Sequence, residues 1–251
     1  MRKIELYEVG PRDGFQMVDE YIPLEAKVHI VEGLLDAGLR HRQITSFVSP
    51  KAIPQMRDAG ELASRVVDKY PDADLFALVP NLRGAQAAWE SGLRSVSYVV
   101  SLGESHNKAN IKRTHAESFF GLQAILEAYP EMDVSLDFYT TVGFPFEGMK
   151  TEDDVVPFLK PYVDNGIQTV NLCDTIGIAN PAQVRRIIQA VWAEYPSLDL
   201  QVHIHDTRNM GMVNTLAAIE LGVDKVQSTL GGLGGCPFAP GASGNLATED
   251  L

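Results

Sequence analysis

Short β-branched and apolar runs alternate with amphipathic stretches along the whole 251-residue chain, and this alternation constrains the fold more than any other feature. Eight runs are predicted as strands: Ile4–Val9, His41–Phe47, Leu75–Val79, Ser95–Leu102, Asp133–Thr140, Thr169–Thr175, Leu200–Asp206 and Lys225–Leu230. Seven amphipathic patterns between them predict helices over Leu24–Ala37, Ile53–Val67, Leu82–Ser91, Ala116–Ala128, Glu152–Asp164, Pro181–Trp192 and Met212–Leu221. Asn81, Thr151 and Asn180 before Pro181 are helix-start signals, and Gly38, Gly92, Gly166 and Gly222 stand where a helix must stop. Strand then helix without interruption requires parallel pairing. Eight repeats in this length predict an α/β fold, a closed (β/α)8 TIM barrel, as one domain over residues 1–251. The rival is an open doubly wound sheet, but no GxGxxG follows the first strand to serve it. After the eighth run only a Gly-rich loop and Asn245–Leu251 remain, so the eighth helix and any C-terminal extension are expected to be largely absent.

Charge then narrows the partners. The 21 Lys and Arg stand against 33 Asp and Glu, a net charge of −12 with no basic patch, which argues against nucleic acid and against an anionic membrane surface. The apolar runs are too short to span a bilayer, and the opening MRKIELYEV lacks the apolar centre of a secretion signal, so a cytoplasmic protein is expected.

In a barrel of this type the working residues sit at the C-terminal ends of strands and in the loops that follow. The seventh strand reads Gln201-Val202-His203-Ile204-His205-Asp206, and the period of two sends both imidazoles to the lumen. Two hydrogen-bonded barrel histidines and a metal pair both fit that pattern. The first strand leads into Gly10-Pro11-Arg12-Asp13-Gly14, and because strand eight closes onto strand one, Asp13 lies one strand away from the histidines. Asp13, His203, His205 and the amide oxygen of Asn245 can therefore converge on one divalent ion. A nitrogen and oxygen set without thiolate favours Mg²⁺ or Mn²⁺, while Zn²⁺ and Co²⁺ also fit. The loop from Gly231 to Asn245 is too long and glycine-rich for a bare connection and reads as a lid or backbone cradle. Within it Cys236, a thiol mostly protonated at neutral pH, can deliver a proton or act as a nucleophile. Cys173 reads as a small core residue, and Asp174 as a carboxylate at the mouth.

These residues carry a family resemblance. The runs Glu8-Val9-Gly10-Pro11-Arg12-Asp13-Gly14 with Gln16, Thr45-Ser46-Phe47-Val48-Ser49-Pro50-Lys51 and Asp174-Thr175-Ile176-Gly177 are three of its parts. The others are His203-x-His205-Asp206 and Gly232-Leu233-Gly234-Gly235-Cys236-Pro237, the latter continuing through Gly241-Ala242-Ser243-Gly244-Asn245. Together they resemble the 3-hydroxy-3-methylglutaryl-CoA lyases among the DRE-type metal-dependent TIM-barrel lyases. The resemblance implies a retro-Claisen cleavage of a 3-hydroxy-3-methylglutaryl thioester to acetyl-CoA and acetoacetate, the chemistry of leucine degradation and ketone bodies. It implies metal ligation by Asp13, His203, His205 and Asn245, stabilisation of the enolate oxygen by Arg12, protonation by Cys236, and a base role for His203 besides ligation. Glu8, Gln16, Gln43, Ser46, Asp174 and Gly235 are expected to support the site or touch substrate. An acyl-CoA substrate and a homo-oligomer, a dimer, complete the expectation.

Three departures bear on the acyl group. Gln43 stands where the lyases usually carry Glu, Met17-Val18-Asp19-Glu20 replaces a more basic stretch, and Gly143-Phe144-Pro145 replaces a frequent Gly-Cys-Pro. They keep two other readings open: a related aldolase or acyl-CoA condensing enzyme, and a catalytically silent barrel that binds a ligand. Lys51, Lys108, Lys112 and Arg113 are the cations available to CoA phosphates, or else a solvated face.

Overall fold

The computed structural model describes residues 3–235 and 244–251. Eight parallel strands close a barrel: β1 (Glu5–Glu8), β2 (His41–Ser46), β3 (Asp74–Val79), β4 (Ser95–Ser101), β5 (Asp133–Tyr139), β6 (Thr169–Asp174), β7 (Asp199–Ile204) and β8 (Lys225–Ser228). Around it run α1 (Leu24–Asp36), α2 (Ala59–Lys69), α3 (Leu82–Glu90), α4 (Glu104–Ile111), α5 (His115–Ala128), α6 (Glu152–Asp164), α7 (Pro181–Glu194) and α8 (Gly211–Leu221). Closure comes from β1 lying against β8, with Glu5 opposite Lys225 and Glu8 opposite Ser228. After β8 the described residues form short 3₁₀ turns at Leu230–Gly232 and Thr248–Asp250 and isolated bridges of His205 with Asn245 and of Thr229 with Ala247.

Local signals account for the helix ends. The Asn81 side chain accepts from Gly84 N at 3.0 Å, the Asn180 side chain accepts from Gln183 N at 3.0 Å, and Thr114 with Glu117 forms a reciprocal capping box. Gly92 and Gly166, at φ 91° and 95°, take the left-handed turns that stop α3 and α6. Two expectations need correction. The helix expected from Ile53 is a 3₁₀ turn at Pro54–Met56 followed by α2, because the intervening Asp58 is drawn onto the buried Lys27. Helix α4 was not expected at all. Its residues lack an apolar stripe, and they are held by polar bonds instead: Asn107 Oδ1 accepts from Ser101 N at 3.0 Å and Ser101 Oγ pairs with His106 Nδ1 at 2.8 Å.

The strands' period of two divides the core. Ile44, Ala77, Val96, Leu136, Val170, Val202 and Val226 point outward and pack with helix residues such as Leu62, Leu122, Leu159 and Ile188 in one continuous cluster. Each such side chain contributes about 1.5–3 kcal/mol when fully buried. Stability therefore resides in the layer between sheet and helices, which frees the lumen to be polar. Its floor is apolar and aromatic, with Tyr7 stacked on His41 at 4.5 Å and edge-on to Phe76 at 6.1 Å. Above it lie Gln43, Ser97, Asp137, Asn171, Gln201 and Gln227, all buried.

The long connection from β1 to α1 is pinned by a knot of buried polar groups. Lys27, 1% exposed, donates from Nζ to both Asp58 oxygens, at 2.8 and 3.0 Å, and to Gln55 O. Tyr21 Oη donates to Asp58 Oδ2 at 2.6 Å, and the Gln55 side chain binds Val18 O at 2.7 Å, Glu20 O and Ile22 N at 3.1 Å. Removing one partner of a buried ion pair strands the other, at a cost of about 3–5 kcal/mol. Asp58→Ala is accordingly expected to lower unfolding stability by about 3 kcal/mol in a urea titration. A loss below about 0.5 kcal/mol would show the knot to be incidental.

Candidate active site

Beyond β1 the chain turns sharply through Gly10–Gly14 in a single π-type turn, which brings Arg12 and Asp13 inward at the C-terminal end of the barrel. Both are buried. Strand β7 delivers His203 from its ladder, and His205 follows just past the strand end, where it forms an isolated antiparallel bridge with Asn245. The expected strand thus stops two residues short of Asp206, and the bridge to Asn245 takes the place of further pairing with β8. One ligand atom from each of Asp13, His203 and His205 lies within 4.8 Å of the others. His205 Nε2 and His203 Nε2 face each other at 3.2 Å. Two nitrogens on one cation at about 2.1 Å and a right angle would stand about 3.0 Å apart, so the pair already has the spacing of adjacent ligands.

Electrostatics agree with that use. Burial and then the neighbouring His203 push the His205 pKa down to about 3, so its imidazole is neutral and keeps a lone pair. Burial works against charge on Asp13, but the neighbouring Arg12 guanidinium holds its carboxyl below the usual range. Asp13 is further dressed by Gln16 Nε2 at 3.0 Å on Oδ1 and by Asn245 Nδ2 at 2.6 Å on Oδ2. Among the described residues, His205 Nδ1 and Asn245 Oδ1 are buried without a hydrogen-bond partner. A neutral His205 imidazole beside His203, an ionised carboxylate and the unpartnered amide oxygen of Asn245 form a donor set that fits a divalent cation.

Arg12 is fixed on two sides, donating from Nη1 to Asp13 Oδ1 and from Nε to Gln43 Oε1, while Gln43 Nε2 donates to Ser97 Oγ at 2.6 Å. A carboxylate at 43 would compete with Asp13 for this guanidinium. The neutral amide orients Arg12 without cancelling its charge. His203 Nδ1 pairs with Gln227 Oε1 at 3.0 Å, a contact to β8 that sequence reasoning missed because it depends on the register of Gln227 opposite His203.

A cavity of about 700 Å³ opens above these groups. Arg12, Asp13, Gln16, Ser46, His203, His205 and Gly235 line it, together with Tyr139 and Cys173 from the barrel wall. Cys173 is buried as expected, but it faces the lumen, and burial followed by the nearby Asp137 raises its thiol pKa well above the ordinary value. The cavity's outer wall carries Met17, Val18, Asp19 and Tyr21 from the pinned loop on one side and Asn110, Ile111 and Lys112 on the other. Of the four candidate cations for CoA, Lys112 is at this wall, while Lys108 pairs with Glu104 at 3.2 Å. Glu8 and Asp174 spend their oxygens on backbone and hydroxyl donors. Glu8 accepts from Gly10 N at 2.7 Å, Leu230 N at 3.0 Å and Thr248 Oγ1 at 2.6 Å. Asp174 accepts from Ile178 N at 3.0 Å and Ala179 N at 2.9 Å. Both hold backbone around the site, because buried amides freed by the turns claim them first. Cys236 lies outside the described residues.

A polar barrel mouth with a buried carboxylate, two imidazoles and a fixed guanidinium defines a barrel enzyme of the metal-dependent kind. The HMGL-like family profile matches residues 3–251, and the chain belongs to that family. It is 38% identical over 252 residues to the hydroxymethylglutaryl-CoA lyase YngG of Bacillus subtilis, covering 100% of this chain and 84% of that protein. It is 39% identical over 252 residues to the human mitochondrial hydroxymethylglutaryl-CoA lyase, covering 100% of this chain and 77% of that one. Among solved structures, an HMG-CoA lyase from Acinetobacter baumannii in complex with coenzyme A and 3-methylmalate superposes with a TM-score of 0.94 at 41% identity, covering 99% of this chain and 82% of that one.

Gly234, at φ 127°, closes over the cluster, and a Cβ there would fall on the Asn245 amide and 2.7 Å from Asp13 Oδ2. Gly234→Ala is expected to weaken Mn²⁺ binding at least about tenfold in a calorimetric titration, with the circular dichroism spectrum unchanged. Equal affinity would mean that Asp13 and Asn245 do not share the ion.

Proposed function

We propose that Asp13, His203, His205 and Asn245 hold the divalent cation of a carbon–carbon lyase, and that the chain cleaves 3-hydroxy-3-methylglutaryl-CoA to acetyl-CoA and acetoacetate. The observation that carries this reading is the buried triad Asp13, His203 and His205 at the head of a cavity large enough for an acyl thioester, in a chain related over its full length to lyases of that name. When bound, a divalent cation supplies Lewis acidity that makes a chelated hydroxyl easier to deprotonate. Mg²⁺ and Mn²⁺ suit the mixed nitrogen and oxygen set best, ahead of Zn²⁺ and Co²⁺.

The chain's own residues supply the rest. Arg12, held by Asp13 and Gln43, presents its remaining N–H groups to the cavity and stabilises the thioester oxygen as the C–C bond breaks and negative charge collects there. Its permanent charge suits an oxyanion that develops only along the reaction. Cys236 returns a proton to the departing carbanion, a role supported by the Gly234-Gly235-Cys236-Pro237 motif. His203, its ring oriented by Gln227, is both a ligand and the base to which the hydroxyl proton passes, its free lone pair serving the cation and the proton in turn. Ser46 and Gln16 meet the acyl portion, and the wall with Lys112 takes the coenzyme.

The catalytic unit is a single barrel domain over residues 1–251. Among the described residues no helix is long and apolar enough to cross a membrane. Exposed Met212, Val213 and Leu216 on α8 offer apolar surface for the expected homodimer.

The test is acetoacetate and acetyl-CoA release from 3-hydroxy-3-methylglutaryl-CoA with Mg²⁺ or Mn²⁺. Chelation is expected to abolish turnover and His205→Ala to reduce it by about three orders of magnitude or more. Full activity in excess chelator would overturn the reading. Separately, Cys236→Ala is expected to depress turnover by about 10²–10⁴-fold with Mn²⁺ affinity unchanged, whereas parallel loss of both would make Cys236 a shaping residue.

A further inference from the structure

Gln227 has no part in the ligand set, yet its side chain reaches into the lumen from β8, 3% exposed, and meets His203 edge-on. Its two amide atoms face different partners. Oε1 lies 3.0 Å from His203 Nδ1, and Nε2 donates to Gln201 Oε1 at 3.3 Å. With both amides oriented as they stand, the order of donors and acceptors along this row points to where the imidazole proton sits. An amide oxygen only accepts, so His203 Nδ1 must carry its proton, and Nε2 is left with a lone pair. The opposite tautomer would set a nitrogen lone pair against the Gln227 oxygen and require both glutamines to turn over together. At the other end of the ring, His203 Nε2 faces His205 Nε2 at 3.2 Å, where a proton on either nitrogen would block a cation.

From this geometry we propose that Gln227, backed by Gln201, is a positioning residue that locks His203 in the Nδ1–H tautomer and thereby sets the affinity of the site for a divalent cation. The inference rests on the metal centre argued above. Gln227 touches neither substrate nor cation; it acts through His203. A neutral amide is a weaker acceptor than a carboxylate, so it orients the imidazole while adding little to its basicity, and Asp13 remains the negatively charged member of the triad.

The experiment uses Mn²⁺ alone, titrated into the full chain and followed by the electron paramagnetic resonance signal of free Mn²⁺. Gln227→Met keeps length and volume but removes the acceptor, and it is expected to raise the Kd about 10–100-fold. Gln227→Glu restores an acceptor and is expected to bind at least as tightly as the wild type. A purely structural role predicts the reverse order, because Met packs in an apolar setting and a buried carboxylate does not. Wild-type and Gln227→Met proteins with the same Kd would overturn the inference and leave the metal centre standing; a wild-type protein that does not bind Mn²⁺ would overturn the metal centre and this inference with it. Should the Met variant fail to fold, two-bond proton–nitrogen NMR correlations of the wild-type protein decide: an Nδ1–H His203 supports the proposal and an Nε2–H His203 refutes it.

Discussion

Everything at the barrel mouth depends on the pairing of β1 with β8. That one ladder, Glu5 opposite Lys225 through Glu8 opposite Ser228, turns an open curl of strands into a closed ring. It also brings Asp13 within ligand distance of two histidines that lie some 190 positions later in the chain. Without closure each group would be an exposed, ordinary side chain. Inside the ring they share a desolvated space, where burial keeps His205 neutral and Arg12 keeps Asp13 ionised. The opposite demands of imidazole and carboxylate are met within a few ångströms because burial disfavours both charges and a single guanidinium rescues only one of them.

The polar lumen follows from the same closure. Amides from several strands, Gln43, Asn171, Gln201 and Gln227, line the inside of the ring, and each is tied to a neighbouring side chain. The outward faces of the strands carry the apolar load, so the inward faces are at liberty to position chemistry. Gln43 shows what this permits. By fixing Arg12 with an uncharged group it leaves a barrel mouth one negative charge poorer than a glutamate would, a difference that bears on which anionic acyl chains settle there.

Much of this was legible in the amino-acid sequence, for physical reasons. Eight strands and most helices show through because burial on one face imposes a period of two or of about three and a half on the residues themselves. The convergence of Asp13, His203 and His205 could be reasoned from strand parity plus ring closure. What stayed hidden depends on contacts between distant segments. The Lys27, Gln55 and Asp58 knot joins three stretches with no shared pattern, and the Gln227 contact requires the exact register of β7 against β8. Helix α4 was missed because polar side chains hold it. Whether Glu8 and Asp174 support the site or touch substrate was not legible, since a carboxylate at a strand end looks alike whether it faces a ligand or a run of backbone amides.

The bridge from His205 to Asn245, with Glu8 gripping Thr248, has a consequence for how the protein is made. As the polypeptide leaves the ribosome, both histidines emerge well before Asn245 and before the ring can shut. A half-made chain therefore carries Asp13 and both imidazoles before the strand that brings them together is in place. The gathering of Asp13, His203 and His205 is thus a property of the closed ring rather than of any local peptide.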